Sequence, residues 1–386
     1  MVNKIIYIKG GRAIEEAKLL FPRLGELPEG GPDKFLLAVL FYSQDAIFRL
    51  ASFGPRTQRT KIDGRDVHEY GARSTQKNKV IRRLKFVGSI FAFMTDTLRF
   101  KPSLVLCGVD GPFALFVWLA ARLAGARFVL FAHNALALPS MSKAYRFSNQ
   151  FLCKRAGLVV AHGPYVRDEA IRLGAKEHAV IEFNNGLDAP HEALIKALAP
   201  RCVLRDTSFS ILYIGRMEED KGVIDLFEAF KSLSSQKDLR LYFIGDGSSN
   251  AVLAERVSKD RLSENVKVLG PIPHDEIFAH LGQASVVVTP SQSRFPEGFC
   301  KSAMEALYVG VPVIAPDYGP FPYMIEDEVN GLLYEPDSVA SLSHALHRLI
   351  SDESLLSRVK NGARASGVRL MHPQTTFSRA IERVFS

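Results

Sequence analysis

Ser210-Ile211-Leu212-Tyr213-Ile214-Gly215-Arg216-Met217-Glu218-Glu219-Asp220-Lys221-Gly222-Val223 is the stretch whose reading decides the fold. A short apolar run stops at a glycine. Arginine follows at once, and a lysine-glycine pair comes five residues later. Val223, Leu226, Phe227 and Phe230 then mark the apolar stripe of a helix. Strand, loop and helix in this order form the repeating unit of a doubly wound sheet. The loop holds two cations between a strand end and a helix start. Arginine offers a flat fork to two phosphate oxygens, and lysine offers a compact charge. The helix start adds backbone donors. A diphosphate leaving group gains negative charge in its transition state, so fixed cations there lower the barrier. A solvated loop with chance charges is the competing reading, because Glu218, Glu219 and Asp220 lie between the cations.

The same pattern runs outward in both directions. Downstream, Leu239–Ile244, Val266–Leu269, Ala284–Val288 and Pro312–Ala315 read as strands, with helices such as Val223–Leu233 and Cys300–Tyr308 between them. Upstream, the apolar runs are Lys4–Ile8, Leu36–Tyr42, Leu104–Val109, Phe128–Phe131 and Gly157–Ala161. Pro190 and Pro200 make Leu187–Asp206 the expected linker. Thr375–Phe385 reads as a helix with no strand after it, expected to fold back onto the first domain. The chain has 386 residues, more than one core usually supports. The expectation is an α/β protein of two Rossmann-like domains facing each other across a cleft. The expected boundaries are 1–190, 205–370 and a returning helix 371–386.

Composition narrows the class. Apolar residues make up 47% and charged residues 23%, ordinary for a globular protein. Cys107, Cys153, Cys202 and Cys300 are far apart and form no C-x-x-C pair. That argues against a disulfide framework or a zinc site and suits a reducing cytoplasm. Asp110, Gly111 and Pro112 interrupt the apolar stretch 104–121, so it reads as strand, loop and buried helix rather than a membrane span. The N-terminal apolar run is too short for a signal peptide. Residues 1–190 carry 28 Lys+Arg against 16 Asp+Glu, a balance of +12, whereas the remainder carries −4. A basic half beside a mildly acidic half points the first domain toward a polyanion or an anionic membrane. No nucleic-acid recognition motif accompanies that charge, so no nucleic-acid partner is expected.

Glu297-Gly298-Phe299-Cys300-Lys301-Ser302-Ala303-Met304-Glu305 spaces two carboxylates eight apart. Glu297 belongs to a loop and Glu305 to the helix behind it. Small and apolar neighbours make Glu305 at least half buried, so it needs a partner. Sugar or ribose hydroxyls are suitable, since a carboxylate accepts two at once.

Taken together, G-R-x4-K-G at Gly215–Gly222, G-D-G at Gly245–Gly247, E-G-F-x5-E at Glu297–Glu305, V-N-G-L-L at Val329–Leu333 and N-G-x-D at Asn185–Asp188 resemble a retaining glycosyltransferase of the GT-B fold, in glycosyltransferase family 4. The resemblance implies that Arg216 and Lys221 bind the donor diphosphate, Glu305 the ribose and Glu297 the donor sugar. It puts Gly215, Gly245 and Gly247 in the donor loops, the backbone of Phe299, Cys300 and Lys301 on phosphate or sugar, and Pro271-Ile272-Pro273 beside the base. Phe131-Ala132-His133-Asn134 is similar to the strand end that carries an active-site histidine, so His133 would contact the transferred sugar. No metal and no cofactor are expected, and no protein general base is assigned. Two departures stand out. The family usually has glycine where Cys300 stands, which would narrow the site or face away from it. Its G-G-x-x-E is here Gly319-Pro320-Phe321-Pro322-Tyr323.

Gly10 and Gly11 end the first strand, where a glycine loop lets backbone approach an acceptor or phosphate closely. In the segment 77–101, Lys77, Lys79, Arg82, Arg83 and Lys85 precede a run rich in phenylalanine, which suits an anionic bilayer surface. Val80, Leu84, Val87, Phe91, Met94 and Leu98 read as the core-facing stripe of that helix, with Phe86, Ile90 and Phe93 partly off it. The expected reaction is transfer of a hexose-type sugar from a UDP-sugar, or else a GDP-sugar, to a glycan or lipid-linked acceptor. It would serve cell-surface polysaccharide or glycolipid synthesis, in the cytoplasm or attached to the inner face of the membrane. A nucleotide-sugar epimerase of the same fold and a non-catalytic nucleotide-sugar sensor are the alternatives. A nicotinamide enzyme would need G-x-G-x-x-G, and Gly245-Asp246-Gly247-Ser248-Ser249-Asn250 lacks the third glycine.

Overall fold

The computed structural model describes residues 4–9, 14, 17–18, 39, 46–53, 57–71, 79–184, 209–235, 238–370 and 376–386. The chain divides into two compact units, Met1–Phe183 with Phe377–Ser386, and Asn184–Thr376.

The first unit carries β1 (Lys4–Lys9), β2 (Ile47–Phe53), β3 (Gln58–Ile62), β4 (Arg65–Tyr70), β5 (Leu104–Gly108), β6 (Arg127–Ala132), β7 (Leu158–His162) and β8 (Val180–Phe183). They pair in the order β3-β4-β2-β1-β5-β6-β7-β8. Only the β3–β4 pair is antiparallel among them. Strands β1 and β5 to β7 are buried on both faces, as parallel strands between helices must be. One face packs against helices Lys79–Phe100, Pro112–Leu123 and Lys143–Arg155, through Phe93, Val117 and Leu152. The other is covered in part by helix Phe377–Phe385, which sends Phe377, Ala380, Ile381 and Val384 into the same core as Phe131 and Phe183.

Strands β2 to β4 were not expected. Their runs are broken by Arg49, Arg59, Lys61 and Asp66, which hides the alternation. The structure accommodates Arg49 and Asp66 by pairing them across strands, and Arg59 by pairing it with Asp96 of helix Lys79–Phe100. Arg49 faces Asp66 in register and donates to it at 3.2 Å. The run Leu36–Tyr42 lies outside the described residues except Val39, which is helical and buried. The linker 187–206 lies outside them as well.

Helix Lys79–Phe100 reverses an expectation. Leu84, Val87, Phe91 and Leu98 are exposed, whereas Ile90, Phe93, Thr97 and Phe100 are buried. Asp96 is the reason. Its carboxylate is buried and accepts from Arg59 at 2.6 Å and from Tyr70 at 2.9 Å, which turns that face toward the sheet. A helix with apolar residues on two faces gives periodicity no means to choose between them.

The second unit carries β9 (Phe209–Ile214), β10 (Leu239–Ile244), β11 (Val266–Gly270), β12 (Val286–Val288), β13 (Val313–Pro316) and β14 (Gly331–Tyr334), all parallel. Their order is β11-β10-β9-β12-β13-β14. The winding reverses between β9 and β12. In such sheets that switch point leaves a crevice at the carboxyl ends of the two strands. Helices cover both faces, through Leu226, Phe227 and Phe230 on one and Ala303, Met304 and Leu307 on the other. Strand β14 arises from the V-N-G-L-L segment. There Asn330 is buried and holds the turn, accepting from Glu326 N at 2.9 Å and donating to Met324 O at 3.0 Å.

Candidate functional site

The loops after β9, β10, β11 and β12 all leave the same end of the second sheet, and backbone hydrogen bonds stitch them together. Gly215 N donates to Ile244 O at 3.0 Å, Met217 N to Asp246 O at 2.9 Å and Gly245 N to Gly270 O at 3.0 Å. Gln292 N, beyond β12, donates to Asp220 O at 2.9 Å. The switch point is thus bridged by the cation loop itself.

Two glycines make this approach possible. Gly245 has φ +141, and a Cβ there would stand 1.8 Å from Gly215 O. Gly222 has φ +69, and a Cβ would stand 1.9 Å from Pro290 O. Neither position accepts a side chain without moving backbone. Gly222 also starts helix Val223–Lys231, so the loop is fixed at both ends.

Lys221 Nζ donates to Glu297 Oε2 at 2.5 Å and lies 3.8 Å from the centre of the Phe295 ring. The Arg216 guanidinium lies 5.3 Å from the same ring. One aromatic ring therefore carries both cations. Ser291 Oγ donates to Glu297 Oε2 at 3.1 Å, and Tyr318 Oη donates to Gln292 O at 2.7 Å. Tyr213 Oη donates to Arg216 O at 2.6 Å, which ties the arginine's backbone to β9. Glu297 lies between a lysine and a hydroxyl, within hydrogen-bond reach of the cation loop.

Glu305 is buried in helix Lys301–Tyr308, with Lys301 Nζ 3.3 Å from its Oε1. Phe299 and Cys300 are buried immediately before that helix. Cys300 is buried beside the cation loop, close enough that Glu297 and Lys221 both act on its thiol. It belongs to the core cluster with Ala303, Met304 and Val313, and burial first, then Glu297, pushes its thiol up to about 11. The loop Pro271–Pro273 follows β11, with Ile272 half-buried against that core and Pro273 capping the next helix. In the departing segment Gly319–Tyr323, Phe321 fills the core and the neighbouring Tyr318 braces the Phe295 loop. The structure therefore brings together Gly215, Arg216, Lys221, Gly245, Gly247, Glu297, Phe299, Cys300, Lys301 and Glu305 at one end of one sheet.

Phe295, Ser291 and Tyr318 were missed. Phe295 sits two residues before Glu297, and an aromatic beside a charged motif was the available signal. Nothing in the sequence ties Tyr318 to residues 292–295.

His133 lies in the other unit, at the carboxyl end of β6. Its ring stands 5.9 Å from Phe183 and 6.3 Å from His162. His162 stacks on Phe183 at 4.7 Å and 4°. Burial lowers His133 to about 4 and His162 to about 3, with the His133 ring adding to the second shift, so both imidazoles are neutral at pH 7. The loop behind His133 is held by buried Glu169, which accepts from Leu136 N at 2.5 Å and Ala137 N at 3.2 Å. Asn149 links this loop to the one after β5, donating to Leu136 O and accepting from Gly111 N, each at 2.8 Å. Gly10, Gly11 and the turn Asn185–Asp188 lie outside the described residues. Among the described residues no three His, Cys, Asp or Glu side chains cluster as a metal would require.

Residues 198–366 match the family "Glycosyl transferases group 1", and residues 39–186 match the "Glycosyl transferase 4-like domain". The chain is 32% identical over 197 residues to the exopolysaccharide phosphotransferase SCO2592 of Streptomyces coelicolor, covering 49% of this chain and 20% of that protein. It is 29% identical over 241 residues to the amylovoran biosynthesis glycosyltransferase AmsK of Erwinia amylovora, covering 61% and 52%. The chain thus spans about half the length of these curated relatives, or less. The crystal structure of Anabaena Alr3699/HepE in complex with UDP superposes over 99% of both chains, with a TM-score of 0.69 and 18% identity, a likeness of fold. The two family matches follow one another along the chain, one on each sheet, so each unit carries a glycosyltransferase family domain.

Proposed function

We propose that the protein moves a hexose-type sugar from a UDP-sugar to a glycan or lipid-linked acceptor, with retention of anomeric configuration, in cell-surface polysaccharide or glycolipid synthesis. The observation that carries this reading is the pair Arg216 and Lys221 on one Phe295 ring, with Glu297 on Lys221, at the switch point of the second sheet. Two cations fixed before substrate arrives suit a diphosphate whose charge grows as the sugar departs. The relative named for amylovoran biosynthesis supports a polysaccharide product, and the HepE complexes with UDP and UDP-glucose support uridine over guanosine.

The chain's own groups then divide the work. Arg216 and Lys221 take the diphosphate. Glu305 accepts from the ribose hydroxyls. Glu297, oriented by Lys221 and Ser291, accepts from the donor sugar. His133, neutral at pH 7, gives or takes a hydrogen bond at the transferred sugar without adding charge. The departing phosphate oxygen takes the acceptor proton, so no protein base is required. The cation pair neutralises the leaving group, and we propose no metal and no cofactor. We place the reaction in the cytoplasm, with segment 77–101 against the inner, anionic face of a membrane. No described helix is long and apolar enough to cross one.

Thermal stabilisation across a panel of nucleoside-diphosphate sugars tests the donor. Stabilisation by GDP-sugars alone would overturn the uridine assignment. The anomeric configuration of the product, read by NMR, tests retention, and an inverted product refutes it. Donor converted to another sugar without any acceptor would instead show an epimerase.

A further inference from the structure

We infer that the outer faces of three consecutive helices of the first unit, Lys79–Phe100, Pro112–Leu123 and Lys143–Arg155, form one docking surface for an anionic bilayer. This rests on the proposed membrane placement of segment 77–101 and extends it to two helices that segment does not include.

The three helices pack side by side on one face of the sheet. Each also exposes large apolar side chains on the opposite side. On the first, Leu84, Val87 and Phe91 recur at i, i+3 and i+7, with Leu84 67% and Phe91 70% exposed. On the second, Phe116, Leu119 and Leu123 repeat that spacing, with Leu123 58% exposed. Phe147 on the third is 64% exposed. Helix Pro112–Leu123 also buries Ala114, Val117, Ala120 and Ala121, so it is apolar all round and carries one charge, Arg122. A helix of that kind at a protein surface is at home against an apolar medium.

Charge selects the medium. The described side chains of the three helices include seven Lys and Arg and one acidic residue, Asp96. Asp96 is buried and bound by Arg59 and Tyr70, so it does not face outward. Apolar stripes among cations with no outward acid match an anionic lipid surface. A second copy of the chain fits poorly, because a twofold contact would set this basic face against itself.

Trp118, the chain's sole tryptophan, sits on this surface. It is half-buried and edge-on to Phe151 of the third helix at 4.9 Å. It reports contact directly. Full-length protein is mixed at low salt with vesicles of phosphatidylcholine and phosphatidylglycerol, or of phosphatidylcholine alone. The mixed vesicles should sediment the protein and shift Trp118 emission to the blue, with quenching by brominated acyl chains; the neutral vesicles should do neither. L119S/L123S and F147S, all at exposed positions, should each weaken binding about tenfold while the melting midpoint stays with that of the parent. Variants that bind as the parent does would confine the contact to 77–101, overturning this inference and leaving the proposed placement. A parent that ignores anionic vesicles, or leaves Trp118 unquenched, overturns both. A dimer that the variants dissolve, without vesicle binding, assigns the face to a second copy and overturns the inference.

Discussion

Lys221 reaches Glu297 across 76 positions of sequence, and the same ammonium rests on the ring of Phe295, two residues before that carboxylate. If Lys221 takes the donor diphosphate as proposed, its charge is already paired and oriented. Donor binding has to share that lysine rather than order it, which reduces the entropy lost on binding. Lys221→Ala should abolish stabilisation by UDP and lower kcat/KM by about 10²–10³-fold. Glu297→Gln should keep stabilisation by UDP but lose the extra stabilisation given by the sugar. Calorimetric titration of both variants with UDP and UDP-glucose checks this split, and equal losses in both would refute it.

Gly222→Ala tests the loop's backbone. The residue has φ +69, and its Cβ would meet Pro290 O, a backbone atom that cannot step aside cheaply. Left-handed strain and the clash together should cost roughly 2–4 kcal/mol. The melting midpoint of the variant, compared with the parent, reads that loss. A variant as stable as the parent would show that the loop can rearrange.

Cys300 should behave as a core residue. Cys300→Gly should lower stability by roughly 1–2 kcal/mol while changing donor affinity less than twofold. With the thiol pushed up to about 11 by burial, iodoacetamide at pH 8 should leave it unmodified in the native protein and label it after unfolding. Mass spectrometry of the native protein separates the outcomes. Rapid native labelling would place Cys300 at the pocket wall.

The two buried imidazoles predict an acid-sensitive first unit. His133 is lowered to about 4 and His162 to about 3, both below the unfolded value of 6.5. The unfolded chain therefore binds protons first as pH falls. Their contribution is fully present well above pH 6.5 and is lost as pH falls through 6.5, down to about 4 for His133 and about 3 for His162, at up to roughly 1.4 kcal/mol per pH unit for each ring. His162→Gln should flatten the melting midpoint between pH 6.5 and 4 relative to the parent. An unchanged slope would refute the linkage.

Phe377 joins the C-terminal helix to the first unit's core, with ring centres 4.9 Å from Phe183 and 5.8 Å from Phe131. Phe377→Ala should cost about 3–5 kcal/mol. Hydrogen exchange should then rise in β6 to β8 and not in β9 to β13. Uniform loss across both units would show that the helix serves the whole chain instead.

The parallel strands of both sheets were legible because a strand buried on two faces is a run of apolar residues, as in Leu104–Gly108 and Leu239–Ile244. The cation loop and the two glutamates were legible because their spacing is local. Strands β2 to β4 were not, because charges paired across strands look like loop residues along the chain.

The sequence by itself determined two doubly wound units and the residues at the second sheet's strand ends. Strand, glycine and helix follow one another within a few residues, and periodicity records them. The tertiary structure alone decided that Phe295 carries both cations, that Cys300 is buried in the core, and that Leu84 and Phe91 face outward. Each depends on contacts between residues far apart in sequence. Periodicity states how often a face recurs; what that face meets is settled only when the other elements pack against it.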